Sequence, residues 1–284
     1  MNVRTARILR GSIAVVAMAM LVWYVGPAAL LQTLARTHAG YVIGYFAAFL
    51  AVPYIYGMQL HGALRLAGHG IPVQDTVRAA AQSWSVGSLT PARAGDLSFA
   101  YFLRGAVPER DALAVVFADK LLSLLVLVLL AIGSAFVVEV PYREALIMAA
   151  SLASGGVLGV LLLTRIPRLE PLRVLLAKSR VVPWTLVMAM LRWAYICAIN
   201  LLIFRAVGYS PGLATVTAAT AVGRLIATVP VSIGGVGIKE PAQILIYAGA
   251  AVPAEAVVAV SVLGMACGFA VAAVVPLLVR GVAR

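Results

Sequence analysis

Three stretches of this chain, Gly11 to Leu31, Ala39 to Leu60 and Leu121 to Val138, carry no charged side chain over 18 to 22 residues. A bilayer's hydrocarbon core needs about 17 to 25 apolar residues from a spanning helix, so each run is long enough to cross. In lipid every backbone N–H and C=O must find its partner inside the protein, which leaves helices and closed barrels. These runs are continuously apolar and do not alternate, which excludes the two-residue period of a barrel strand. The expected fold class is therefore all-α and integral to the membrane. With 63% hydrophobic and 11% charged residues among 284, the composition leaves no room for a soluble domain.

The formal net charge of +12 suggests a phosphate-binding surface. No soluble stretch is long enough for a nucleic-acid module, so no nucleic-acid partner is expected and the charge reads as topology. Spanning helices are expected near 11–31, 39–60, 112–138, 145–165, 184–206 and 255–279. With the N-terminus in the cytoplasm, fifteen basic residues fall inside, and Arg36, Arg143, Arg205, Arg224 and Lys239 fall outside. Arg4, Arg7 and Arg10 before an apolar run also describe a signal peptide. The run lacks a small-x-small cleavage site, so a retained first helix is expected. Cys197 and Cys267 sit in apolar helices and read as small core residues. His38, His61 and His69 lack ligand spacing, and no metal or other cofactor is expected.

Two stretches, 74–107 and 211–250, are rich in Gly, Pro, Ser and Thr and are punctuated by charge, which predicts re-entrant helical hairpins and not clean crossings. They resemble each other. Leu103-Arg104-Gly105-Ala106-Val107-Pro108 leads into one helix, and Tyr247-Ala248-Gly249-Ala250-Ala251-Val252-Pro253 leads into another, 145 residues later. Each Pro stands where a missing N–H costs nothing, and an acid follows in the first turn. Upstream, Leu89-Thr90-Pro91 then Gly95-Asp96 matches Val229-Pro230 then Gly234-Gly235. Three spanning helices separate the copies, and an odd number inverts the second. The expectation is one transmembrane domain over 1–284, with about six spanning helices and two re-entrant hairpins in an inverted repeat, the first copy near 39–138 and the second near 184–279. Interrupted segments in matching positions of two halves point to a transport site.

Ionisable groups inside a membrane normally face a cavity and find partners. Arg93 and Asp96 lie in the first hairpin, and Arg224, Lys239 and Glu240 in the second; Asp119, Lys120 and Arg192 lie inside helices. Ser232-Ile233-Gly234-Gly235-Val236-Gly237 is a Gly-rich tip whose free N–H groups suit an anionic headgroup. Ser232, Gly234, Gly235 and Gly237 therefore join the candidate substrate-binding set. No strand precedes the tip and no Walker lysine follows, which excludes a nucleotide loop. Structural pairing is the competing expectation: Asp119 with a basic neighbour, Arg192 snorkelling, Glu240 neutralising Arg224. The basic stretch Arg165 to Arg180 reads as an interfacial helix on anionic lipid.

Pro91-Ala92-Arg93-Ala94-Gly95-Asp96, Ala118-Asp119-Lys120-Leu121-Leu122 and Pro230-Val231-Ser232-Ile233-Gly234-Gly235-Val236-Gly237-Ile238-Lys239-Glu240 together resemble the lysylphosphatidylglycerol synthase transmembrane family, a flippase-like domain also found as stand-alone bacterial membrane proteins. The resemblance runs from about residue 10 to 280. The family usually has Glu where Asp96 stands, commonly Arg at Lys120 and Lys239, and an acid near Ser123. The resemblance implies movement of an anionic, aminoacylated or otherwise modified phospholipid between leaflets of the bacterial inner membrane. No soluble aminoacyl-transfer domain follows, so a non-enzymatic chain is expected. A homo-oligomer or a partner synthase are the protein associations it suggests. No ATP motif is present, so uphill movement would need an ion gradient, with Asp96, Asp119 or Glu240 as proton carriers. The alternative expectation is an enzyme subunit or membrane scaffold in a lipid-modifying, lipid-linked glycan or hopanoid pathway.

Overall fold

The computed structural model describes residues 19–138, 170–228 and 237–280, and every regular element among them is helical. The first apolar run is not one helix. A helical stretch over 19–25 stops at Gly26, whose φ of 90° lies in the left-handed region, and α1 (Pro27–Ala35) restarts with a proline at its first position. This corrects the continuous span expected over 11–31, insofar as its residues are described.

The next elements are α2 (Ala39–Phe49) and α3 (Ala51–Ala67), which together form one 29-residue apolar rod. Pro53 has no N–H to return to the Phe49 carbonyl, and the rod steps at Leu50. After α4 (Val73–Ser88) come a 3-10 segment (Pro91–Leu97), α5 (Ser98–Phe102) and α6 (Glu109–Ala135). Then follow α7 (Glu170–Ala177), α8 (Val181–Ala206), α9 (Leu213–Ala227), α10 (Glu240–Ala248) and α11 (Ala254–Arg280). Four rods, Ala39–Ala67, Glu109–Ala135, Val181–Ala206 and Ala254–Val279, are long and apolar enough to cross a membrane. They coincide with four of the six expected spans. The expected helix over 145–165 lies outside the described residues, as do residues 165–169 of the basic stretch 165–180. Of the latter, α7 is seen, with Leu172 and Leu175 buried and Arg173 exposed.

A long rod, a helical hairpin and a second long rod occur twice in succession. The turns that follow the two leading rods share a hydrogen bond. Gly68 and Gly208 are both left-handed, and the N–H groups of His69 and Tyr209 return to the carbonyls of Leu64 and Phe204, each at 3.0 Å. At the hairpin exits the bonds differ by one residue in register: Val107 donates four residues back to Leu103 and Val252 five back to Tyr247, each at 3.2 Å. The two leading rods run antiparallel. His38 N–H donates to the Ala206 carbonyl at 2.8 Å, Trp184 Nε1 to the Gln59 carbonyl at 3.1 Å, and Lys178 to the Ala67 carbonyl. The indole of Trp184 lies where a side chain on Gly62 would stand, which brings α3 and α8 into close contact.

The arms of the first hairpin touch at two glycines. A Cβ on Gly87 would overlap the Asp96 carboxylate, and one on Gly95 would come within 2.6 to 2.7 Å of the backbone and side chain of Val86. Gly87→Ala should therefore lower stability by about 1 to 3 kcal/mol through overpacking. Gly133→Ala, in the last turn of α6 with open space around it, should instead be neutral or stabilising by up to about 1 kcal/mol. Thermal unfolding in detergent separates the two; equal melting temperatures would remove the close-approach argument.

Candidate functional site

Three carboxylates are buried among the rods and hairpins, and each is held differently. Asp96 is 2% exposed, at the turn of the first hairpin. Arg93 grips it with both prongs of its guanidinium, Nε to Oδ2 at 3.0 Å and Nη2 to Oδ1 at 3.1 Å, and Lys120 of α6 closes on Oδ2. Arg93 adopts a φ of 54°, unusual for a residue with a Cβ, and stacks its guanidinium over Trp84 at 5.2 Å.

Asp119, 3% exposed, is the node where α3, α6 and α8 meet. Its Oδ1 accepts from Gln59 Nε2 at 2.6 Å, Ser123 Oγ at 3.3 Å and Arg192 Nη2 at 3.3 Å. Arg192 also donates to Ser123 Oγ at 2.6 Å and lies over the Tyr56 ring at 5.1 Å. Arg192 is 8% exposed, so it does not snorkel; it is paired inside the bundle. Ser123, placed where the resemblance suggests an acid, acts as a hydroxyl acceptor, and Asp119 one turn earlier supplies the charge.

Glu240 is fully buried at the start of α10. Its Oε1 accepts from Lys239 Nζ at 2.6 Å and Ser261 Oγ at 2.5 Å, and its Oε2 from the Gly237 N–H at 2.7 Å. Lys239 reaches Ser261 as well, at 2.6 Å, so this carboxylate ties the second hairpin to α11. The expected pairing of Glu240 with Arg224 is thus replaced by its chain neighbour, because Glu240 points back toward the turn and not across to α9.

That leaves Arg224 without a carboxylate among the described residues. Its guanidinium lies over Trp193 at 5.8 Å, and that of Arg192 stands 5.9 Å from the same ring. Arg93 and Arg192 are within electrostatic reach of Arg224, and Arg224 is within reach of Lys239. Among the described residues the region therefore holds five cations, Arg93, Lys120, Arg192, Arg224 and Lys239, against three carboxylates, Asp96, Asp119 and Glu240. The tip segment that links the hairpin arms, 229–236, contains no charged residue to alter that balance.

Several neutral groups in the same region lack hydrogen-bond partners within the protein: Tyr56 Oη, Gln59 Oε1, Thr185 Oγ1 and Trp193 Nε1. Buried polar atoms are nearly always paired, and these four, unpaired among the described residues, lie in the region around Arg192. Thr76 and Ser85, by contrast, return their hydroxyls to a carbonyl one turn back.

The structure thus gathers Arg93, Asp96, Asp119, Lys120, Arg192, Arg224, Gly237, Lys239 and Glu240 of the expected set. Ser232, Gly234 and Gly235 lie outside the described residues. Tyr56, Gln59, Trp84, Thr185, Trp193 and Ser261 are additions that the sequence did not flag. The polar Gln59, Thr185 and Ser261 inside apolar rods offered a signal.

A family model described as the lysylphosphatidylglycerol synthase TM region matches residues 8–275. No curated protein matches the chain.

Proposed function

The chain belongs to the lysylphosphatidylglycerol synthase transmembrane family, a family of membrane proteins of lipid metabolism and transport, and on that premise we propose that it moves a lipid with an anionic headgroup between leaflets. The observation that carries this reading is the surplus of two positive charges around an arginine with no carboxylate, Arg224. On insertion scales a charge at the membrane centre costs about 2.5 to 3.5 kcal/mol, so cations kept there without counter-ions point to an anion that visits.

The route follows from the hairpins. At 1.5 Å per residue α4 and α9 are about 22 to 24 Å long, short of the roughly 30 Å of a hydrocarbon core. We read both as entering the bilayer and turning back, with their polar turns near its middle. The antiparallel leading rods and the matched turns support an inverted repeat, so the hairpins enter from opposite leaflets. On this reading the headgroup passes through the polar region between them while the acyl chains stay in lipid. The end of the bundle where α3 meets α8 carries Arg65, Lys178 and Arg180, which supports placing it, and the N-terminus, on the cytoplasmic side of a bacterial inner membrane. On this reading the chain is a transporter and not an enzyme, and its ligand is a membrane lipid.

A leaflet assay on the reconstituted protein tests it. Wild type should accelerate movement of a labelled anionic phospholipid. Arg224→Ala should slow that movement by about tenfold or more, the loss expected for one hydrogen bond to a charged group. Arg224 makes no ion pair, so the variant should melt like wild type. Undiminished movement by a folded Arg224→Ala protein would remove the proposal's support.

A further inference from the structure

The charge balance also bears on which anion enters. A phosphodiester headgroup carries one negative charge, whereas a terminal phosphate carries about −1.5 to −2 near neutral pH and presents three acceptor oxygens. The pairs Asp96 with Arg93 and Lys120, Asp119 with Arg192, and Glu240 with Lys239 leave two cations of the five uncompensated. Of these Arg224 has no carboxylate among the described residues, and Asp96 already shares two cations. The neutral groups favour donation too. Tyr56 is 2% exposed with its hydroxyl unpaired among the described residues, within electrostatic reach of Asp96 and Asp119 and of Arg192 and Arg93, and the Trp193 N–H is likewise unpaired beside Arg192 and Arg224. A cationic or zwitterionic headgroup would leave that surplus unanswered.

We infer that the lipid carries a terminal phosphate, a phosphomonoester or diphosphate with about two negative charges, held by Arg224 with Trp193 and Tyr56 as donors alongside. This rests on the transport reading of the same cavity and narrows its substrate class.

The test uses the full chain in nanodiscs with phosphatidic acid and phosphatidylglycerol of identical acyl chains as probes, and inorganic phosphate as a third. At pH 8 phosphatidic acid should bind about tenfold or more tightly than phosphatidylglycerol, since one further charged hydrogen bond is made. The second phosphate pKa is about 6, so at pH 5 the preference should shrink toward parity while phosphatidylglycerol binding stays flat. Phosphatidylglycerol controls for protein titration, since it meets the same groups: Asp96, Asp119, Glu240 and their cations, with Tyr45, Tyr56, Cys197 and Cys267 nearby. The histidines His61 and His69 are engaged elsewhere, with Thr76 and Asp111. Arg224→Ala should weaken binding of both lipids, phosphatidic acid more than phosphatidylglycerol, and so erase the preference between them.

Equal affinities at pH 8, or a preference undiminished at pH 5, would overturn the inference while leaving transport of a singly charged lipid intact. Inorganic phosphate binding as tightly as phosphatidic acid would overturn the assignment to a lipid. Tight, pH-dependent binding of phosphatidic acid with no movement in the leaflet assay would instead sink the transport reading and keep the site.

Discussion

Replacing Glu240 by alanine is expected to cost about 3 to 5 kcal/mol of folding stability, the range for breaking a buried ion pair from one side. The carboxylate is fully buried and is the common acceptor for Lys239, Ser261 and the Gly237 N–H. Without it, Lys239 retains only Ser261, and the backbone N–H that shapes the turn loses its acceptor in a place water does not reach. Glu240→Gln should cost less, because an amide oxygen can still accept from Gly237 or Ser261. Unfolding in detergent checks the order: alanine below glutamine below wild type. An alanine variant as stable as wild type would mean that the second hairpin is not anchored through this carboxylate.

The charged half of this site was legible because charge is conspicuous in apolar sequence. Asp119, Lys120 and Arg192 interrupt otherwise apolar rods, and the Gly/Pro-rich stretches around Arg93 and Lys239 break helical periodicity. Partner choice was not legible. Gln59 reaches Asp119 across 60 positions and Arg192 across 73, and no local spacing encodes such contacts. Glu240 shows the same limit at short range, since Arg224 on the facing arm and Lys239 next in the chain were both available, and the direction of the side chain decided between them. Neutral contributors such as Tyr56 and Trp193 look like ordinary lining residues until their rings are found against guanidiniums. The break at Gly26-Pro27, in contrast, was written in the dipeptide itself.

The second large effect is a coupling energy. Asp119→Leu should leave Arg192 buried with only Ser123 and an aromatic face, and Arg192→Leu should leave Asp119 with only Gln59 and Ser123. Each single change is expected to cost about 3 to 5 kcal/mol. The double variant Asp119→Leu with Arg192→Leu removes both charges and fills the space with apolar volume, which is often neutral or stabilising for a buried pair. It should therefore lie close to wild type, far above the sum of the single losses. Additive losses would show that Asp119 and Arg192 stabilise the bundle independently, and that the pair at 3.3 Å is not the contact joining α6 to α8.

The most direct measurement is a cryo-EM structure of the full chain in nanodiscs containing phosphatidic acid. The account predicts headgroup density between the two hairpins, against Arg224 and Trp193 and within reach of Arg93 and Arg192, with the acyl chains leaving sideways into the bilayer. Lipid headgroups found only around the rim of the protein, with Arg224 facing acyl chains or closed off from both leaflets, would contradict it.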